Sequence, residues 1–258
     1  MSPNPLLSIC TTNYNCANVL PRHLASVYRT LEGIGFEYIV VDNRSKDGSL
    51  PILSDWAMQQ PNMSVSSRRC TMGEGRQIAF SHSRGQFIMV LDTDVIYSSR
   101  LRVFLERYLQ RHSDVSVQAL YCGIFPRDHW TRVGGRRSLN TNEDVDMWIR
   151  LLRLGKMKWY PLSMGENLKE PSALGSSDYL SQRYPPSERV FRLLRREWDL
   201  LKTRPLRGVD LGAAIRANTI DFGLEATVGA WPQARVRQST FGHWASFVRD
   251  LRAAISHV

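Results

Sequence analysis

Residues 87–97 read FIMVLDTDVIY. Five apolar residues in a row are long enough for a strand buried on both faces and too short for a core helix. Asp92 and Asp94 then interrupt the run. A carboxylate left in an apolar interior without a partner costs several kcal/mol. The economical reading is a central strand that leaves the core at Leu91 and delivers two acids to an edge.

Working outward, three similar units precede this strand. LLSICTT (6–12) is a strand followed by a helical pattern over about 18–31. EYIVVD (37–42) is a strand followed by the turn NRSKDGS and a helix over about 50–58. MSVSS (63–67) is a weaker strand, with a helical pattern over about 74–83 after it. Near-continuous apolar strands alternating with helices predict an α/β fold, a mostly parallel sheet with helices on both faces. After Asp94 the rhythm changes to a helix over about 100–111 and a strand VSVQALY (115–121). A loop follows, TRVGGRRSLNTN (131–142), then an amphipathic helix EDVDMWIRLLRLG (143–155) closed by Gly155, and a short strand KMKWYPL. Residues 1–165 are expected to form one α/β domain, with 1–94 and 95–165 as its two halves. Residues 166–258 are expected to form a basic helical C-terminal region.

In an open parallel sheet, ligands sit in the crevice beyond the carboxyl ends of the strands. Polar residues collect at three such ends: Thr12, Asn13, Tyr14 and Asn15 after the first strand, Asp42 and Asn43 after the second, Asp92 and Asp94 after the fourth. Right-handed crossovers bring these ends to one edge. Asn43 and Asp47 read better as turn formers, and Asp42 stays open between turn and site. In extended geometry Asp92 and Asp94 share a face, and paired hard oxygens suit Mg²⁺ or Mn²⁺ held jointly with substrate phosphates. Glu143, Asp144 and Asp146 open the later helix. Thr141 as N-cap with Asp144 as its partner explains them as a capping device, and a functional role stays open beside it. Arg150 on the same helix reads as a solvated charge.

Composition sets further bounds. Hydrophobic content of 43% and charged content of 22% are those of a globular protein. Cys10, Cys16, Cys70 and Cys122 form no C-x-x-C pair, so neither disulfides nor a zinc knuckle is expected, and a reducing cytoplasm is the simpler setting. No secretory signal and no apolar window of membrane-spanning length is read. Gly73-x-Gly75 opens a helix, but Ile78 occupies the third small-residue position, which excludes a dinucleotide fingerprint. The net charge of +10 is uneven: residues 1–94 balance, and residues 95–258 carry the whole excess. The second half is expected to face something anionic.

The ordered set LSICTTNYN, YIVVDNRSKDGS, GRQIAFSHSRGQFIMVLDTD and NEDVDMWIRLLRLG resembles the GT-A glycosyltransferases of family 2, over about residues 6–160. The resemblance implies a Rossmann-like GT-A fold and an inverting hexosyltransferase that uses a UDP- or GDP-sugar with Mg²⁺ or Mn²⁺. It implies that Thr12, Tyr14 and Asn15 meet the nucleotide, with Asp42 at the base, Arg76 near the nucleotide and Asp92 near the ribose. It makes Asp94 the direct metal ligand, with Asp92 beside it, and Asp144 the catalytic base with Glu143 next to it near the acceptor. Gln77 stands where the family has asparagine, which bears on the diphosphate contacts. The acceptor is a glycan or lipid-linked hydroxyl, and a polyprenyl-phosphate sugar synthase is the near alternative. A non-catalytic basic binder of polyanions is the alternative of another class. The acids at the strand ends argue against nucleic acid there. The stretches 187–202 and 241–255 read as basic amphipathic helices, suited to an anionic membrane at its cytoplasmic face.

Overall fold

The computed structural model describes residues 4–168 and 211–220. Its strands are β1 (Leu7–Asn13), β2 (Phe36–Asp42), β3 (Met63–Ser67), β4 (Phe87–Leu91), β5 (Val95–Tyr97), β6 (Ser116–Leu120), β7 (Cys122–Pro126), β8 (Met157–Ser163) and β9 (Gly165–Asn167). The helices are α1 (Leu20–Thr30), α2 (Ser49–Gln59), α3 (Met72–Ser81), α4 (Ser99–Arg111), α5 (Arg127–Arg132), α6 (Glu143–Arg153) and α7 (Leu211–Ala217).

Seven strands form one sheet in the order β3-β2-β1-β4-β7-β6-β8, and β5 pairs with β9. All neighbours in the large sheet are parallel except β7, which runs against β4 and β6. The expected mostly parallel sheet is therefore present. Strand β7 and the short α5 were not anticipated: Gly123 and Pro126 obscure the strand signal in CGIFP. Tyr121, at φ 65, makes the tight reversal between β6 and β7.

Strand alternation divides the core in two. Leu7 and Ile9, Tyr38 and Val40, and Phe87, Met89 and Leu91 pack with Leu20, Leu24 and Val27 of α1 and Leu101, Phe104 and Tyr108 of α4. Cys10, Ile39, Val41, Ile88 and Val90 pack on the other face with Ala79 of α3, Trp130 of α5, and Met147 and Leu151 of α6. The helices form for local reasons. Leu20, Leu24 and Val27 recur at helical spacing behind Pro21 in the first turn. Thr71 and Glu74 make a capping box that starts α3 two residues before the sequence pattern does.

The chain winds from β1 to β2 and β3 on one side, then crosses to place β4 on the other. The crevice between the carboxyl ends of β1 and β4 is thus the switch point of the sheet, where an open α/β fold binds ligands.

His23 of α1 buttresses this point from behind. Its Nδ1–H donates to the Val95 carbonyl at 2.8 Å, and its Nε2 accepts from the Tyr38 hydroxyl at 2.7 Å. Burial pushes the imidazole down from 6.5 to about 4, against the hydrogen bond to Val95. The unfolded chain therefore binds a proton that the folded chain refuses between those values. Stability is expected to fall as pH drops from 6.5 to about 4, by roughly 3 kcal/mol for this group. Urea unfolding across that range, with His23→Gln flattening the slope, checks it.

Candidate active site

Alternation along the strands decides which side chains meet. Thr12 and Asp92 continue the face of Cys10, Ile88 and Val90, toward α3 and α6, whereas Asp42 continues the opposite face. Helix α3 approaches β1 closely enough that a Cβ on Gly75 would lie 2.4 Å from the Thr12 hydroxyl. One on Gly73 would lie 2.1 Å from the Arg137 carbonyl oxygen. The two glycines therefore serve close packing, as their rejection as a dinucleotide motif requires.

That approach carries Arg76 into the crevice. Its guanidinium is almost wholly buried and bridges three carboxylates: Asp92 at 2.8 Å, Glu143 at 2.6 Å and Asp144 at 3.2 Å. The end of β4, the start of α6 and helix α3 converge on one side chain. Glu143 is buried and turned to Arg76, while Asp144 keeps 34% of its side chain exposed to the crevice. Thr141 does not cap α6. Asn142 stands at the cap with φ 58 and makes no side-chain cap, because the acids of the first turn are drawn to arginines instead. The capping explanation for Glu143 and Asp144 is thereby replaced.

A second cation completes the cluster. Arg136, from the glycine- and arginine-rich loop, is buried, makes a short ion pair with Asp144 and lies 3.8 Å from Glu143. Burial pushes Asp92 up to about 6, Arg76 opposes the rise, and Asp94 and Asp144 add to it. Burial and the adjacent Asp144 also push Glu143 upward, against both arginines. Burial would raise Asp144 too, but Arg136 and Arg76 outweigh it and hold this carboxyl well below the usual range.

Asp92 and Asp94 lie in the turn between β4 and β5 rather than in extended strand. The Asp92 N–H donates to the Tyr97 hydroxyl, which donates onward to the Tyr121 carbonyl. The Asp94 carbonyl accepts from the Leu168 N–H. Among the described residues, no group of three or more His, Cys, Asp or Glu is arranged to hold a metal. Two carboxylates of hard oxygen at a crowded acidic turn still suit Mg²⁺ or Mn²⁺, provided a diphosphate and water complete the shell.

Asp42 is spent on the chain itself. One oxygen accepts from Asn13 Nδ2 at 2.8 Å and Ser45 Oγ at 2.6 Å, the other from the Ser45 N–H at 2.9 Å. Asn15, at φ 50, receives the Lys46 N–H on its side-chain oxygen and gives its own N–H to Ser45. Tyr14 is half-buried between them. Asp47 and Asn43 tie turns, as read from sequence: Asp47 accepts from the Ala17 N–H and from Ser49, Asn43 from the Cys70 N–H.

Arg150 is not a solvated charge. It is half-buried, pairs with the fully buried Asp146 at 2.5 Å, and donates to the carbonyls of Val133 and Gly135. Arg137 reaches the same Asp146 at 3.1 Å. Gln77 faces away from the crevice, accepting from Trp130 Nε1 and the Arg136 N–H at 2.9 Å each. Asp146 stood in the acidic cluster read from sequence, whereas Arg136 and Arg137 carried no motif, although the arginine pair in VGGRR just ahead of three acids was a visible signal. The stretches 187–202 and 241–255 lie outside the described residues.

A mostly parallel, doubly covered sheet with acids and arginines at its switch point defines a GT-A type domain. The glycosyl transferase family 2 model matches residues 8–164, and the chain belongs to that family; it is a glycosyltransferase. No curated protein matches it in sequence. Among solved structures it is similar to the mannosyltransferase PcManGT from Pyrobaculum calidifontis in complex with GDP-Man and Mn²⁺. That match has 16% identity and a TM-score of 0.57, covering 99% of this chain and 87% of that one. It is also similar to TarS from S. aureus in complex with UDP-GlcNAc, at 15% identity and a TM-score of 0.51, covering 73% of this chain and 66% of that one.

Proposed function

We propose that the chain transfers a sugar from a UDP- or GDP-sugar to a hydroxyl of a glycan or lipid-linked acceptor, inverting the anomeric carbon with Asp144 as general base. The observation that carries the reading is the partly exposed Asp144 carboxylate, kept ionised by Arg76 and Arg136 at the switch point of the sheet. An ionised carboxylate at a crevice can accept the proton that an acceptor hydroxyl loses as it attacks. A retaining two-step route needs a carboxylate nucleophile beside the anomeric carbon. Glu143, turned inward onto Arg76, is poorly disposed for that task.

Thr12, Tyr14 and Asn15 border the nucleotide on this reading. Asp42 acts at the base end by holding Asn13 and the Ser45 turn around it. Arg76 is the cation within reach of a diphosphate beside Asp92. Asp94, with Asp92, would hold Mg²⁺ or Mn²⁺, which when bound stabilises charge developing on the leaving diphosphate. The neighbouring structures carry GDP-Man with Mn²⁺ and UDP-GlcNAc, which supports testing both donors.

Residues 166–258 are proposed as the acceptor side, docking a lipid-linked glycan at an anionic membrane surface, on the strength of the charge asymmetry. No helix among the described residues is long and apolar enough to cross a membrane. Flotation with anionic liposomes tests the docking, and no binding at moderate salt refutes it.

Thermal shift with UDP-GlcNAc and GDP-Man, each with Mn²⁺ or Mg²⁺, selects the donor. Asp144→Asn is expected to keep donor binding and lose transfer or donor hydrolysis by a factor of about 100 or more. Asp94→Ala is expected to abolish the metal dependence of both. Full activity in Asp144→Asn would move the base role elsewhere, and unchanged metal dependence in Asp94→Ala would refute the metal site.

A further inference from the structure

Arg136 is an expensive residue to bury. Its side chain has no exposed surface. The guanidinium carbon lies 5.3 Å from the ring centre of Trp130 and 6.0 Å from that of Phe125. Its polar partners among the described residues are Asp144 and Glu143, and its Nε and Nη2 have no acceptor there. Attraction to two aromatic rings does not satisfy those two buried donors. What holds the arginine in this slot is the pair of acids at the start of α6, which would otherwise be left to Arg76 alone.

The slot is nevertheless built with care. Gln77 receives the Arg136 N–H and the Trp130 indole N–H on one oxygen, fixing the loop against α3 and α5. Gly135, at φ 70, passes so close to Gln77 that a Cβ would lie 2.2 Å from that oxygen. Arg150 anchors the same loop through the Val133 and Gly135 carbonyls, and its pairing with Asp146 ties that loop to α6. Gln77, Arg150 and Asp146 thus fix the loop that carries Arg136 against α3 and α6.

The charges explain what is held. Asp92, Glu143 and Asp144 share Arg76. A diphosphate arriving beside Asp92 competes for Arg76, and Asp144 then loses one of the two guanidinium groups that orient its carboxylate. Asp92 and Asp144 are both partly exposed and Glu143 is buried; the acids at the start of α6 carry a second cation that is sealed from solvent, Arg136.

We propose that Arg136 is a positioning residue for the transfer reaction, holding the Asp144 carboxylate aimed at the acceptor while the donor's diphosphate draws on Arg76. The proposal rests on the reading of Asp144 as the base. It assigns to Gln77 a part in placing Arg136, and none in contacting the diphosphate.

The test compares Arg136→Met and Arg136→Lys with wild type and Asp144→Asn, using whichever of UDP-GlcNAc and GDP-Man the wild type turns over with Mn²⁺. Arg136→Met is expected to lower kcat about 100-fold, with donor KM and UDP or GDP affinity within about threefold. Arg136→Lys is expected to recover about tenfold of the loss and to stay about tenfold below wild type, because it restores the charge without the shape. A packing role predicts instead that lysine is no better than methionine in kcat. Retention of kcat in Arg136→Met, with Asp144→Asn inactive, overturns this proposal and leaves the base in place. Activity in Asp144→Asn overturns the base reading itself. If the methionine variant does not fold, the lysine variant decides: reduced kcat at unchanged Tm supports the proposal, and unchanged kcat overturns it.

Discussion

The Arg76 guanidinium joins the end of β4, helix α3 and the start of α6 at one point. It touches the acid at the end of β4 and two acids at the start of α6 from within α3. Because the side chain is buried, each of these contacts is strong, and each carboxylate depends on it. The close seating of α3 follows from this need. Gly75 lets the helix lie on β1, Gly73 lets the loop before α6 lie on the helix, and the Thr71–Glu74 capping box fixes where the helix begins. Helix geometry, loop path and acid placement therefore form a single constraint.

Charge balance is the second consequence. Three carboxylates crowd a space that one guanidinium cannot neutralise, and the structure answers with Arg136 rather than with distance. The same loop also carries Arg137, which joins Arg150 on Asp146, so the start of α6 is embedded in arginines. Such a cluster is costly as a stabilising device and useful as a preorganised electrostatic environment. Its open side is the crevice at the switch point, where Asp92 and Asp144 are partly exposed and Asp94 lies in the turn after β4.

Much of this was legible from residue patterns. FIMVL ended at Leu91, as its apolar run required, and the strand ends at Thr12, Asp42 and Asp92 lie along the carboxyl edge of one sheet. Other features were hidden for physical reasons. CGIFP carries a glycine and a proline, so β7 has no strand signature although it pairs along its whole length with β4. Arg150 and Arg136 look like surface charges in any one-dimensional reading, since burial of an arginine depends on acids and carbonyls distant in sequence. Thr141 followed by acids matches a capping box, yet long-range ion pairs outcompete that local bond. Asp42 drew attention as a free acid at a strand end, whereas Asn13 and Ser45 occupy its oxygens.

The most direct test is a crystal structure of the protein with Mn²⁺ and the nucleotide-sugar that stabilises it. The account predicts the diphosphate beside Arg76, a manganese anomalous peak on Asp94, and the Asp144 carboxylate facing the sugar with Arg136 still upon it. A nucleotide bound away from the β1–β4 crevice, or a sugar directed away from Asp144, would contradict it.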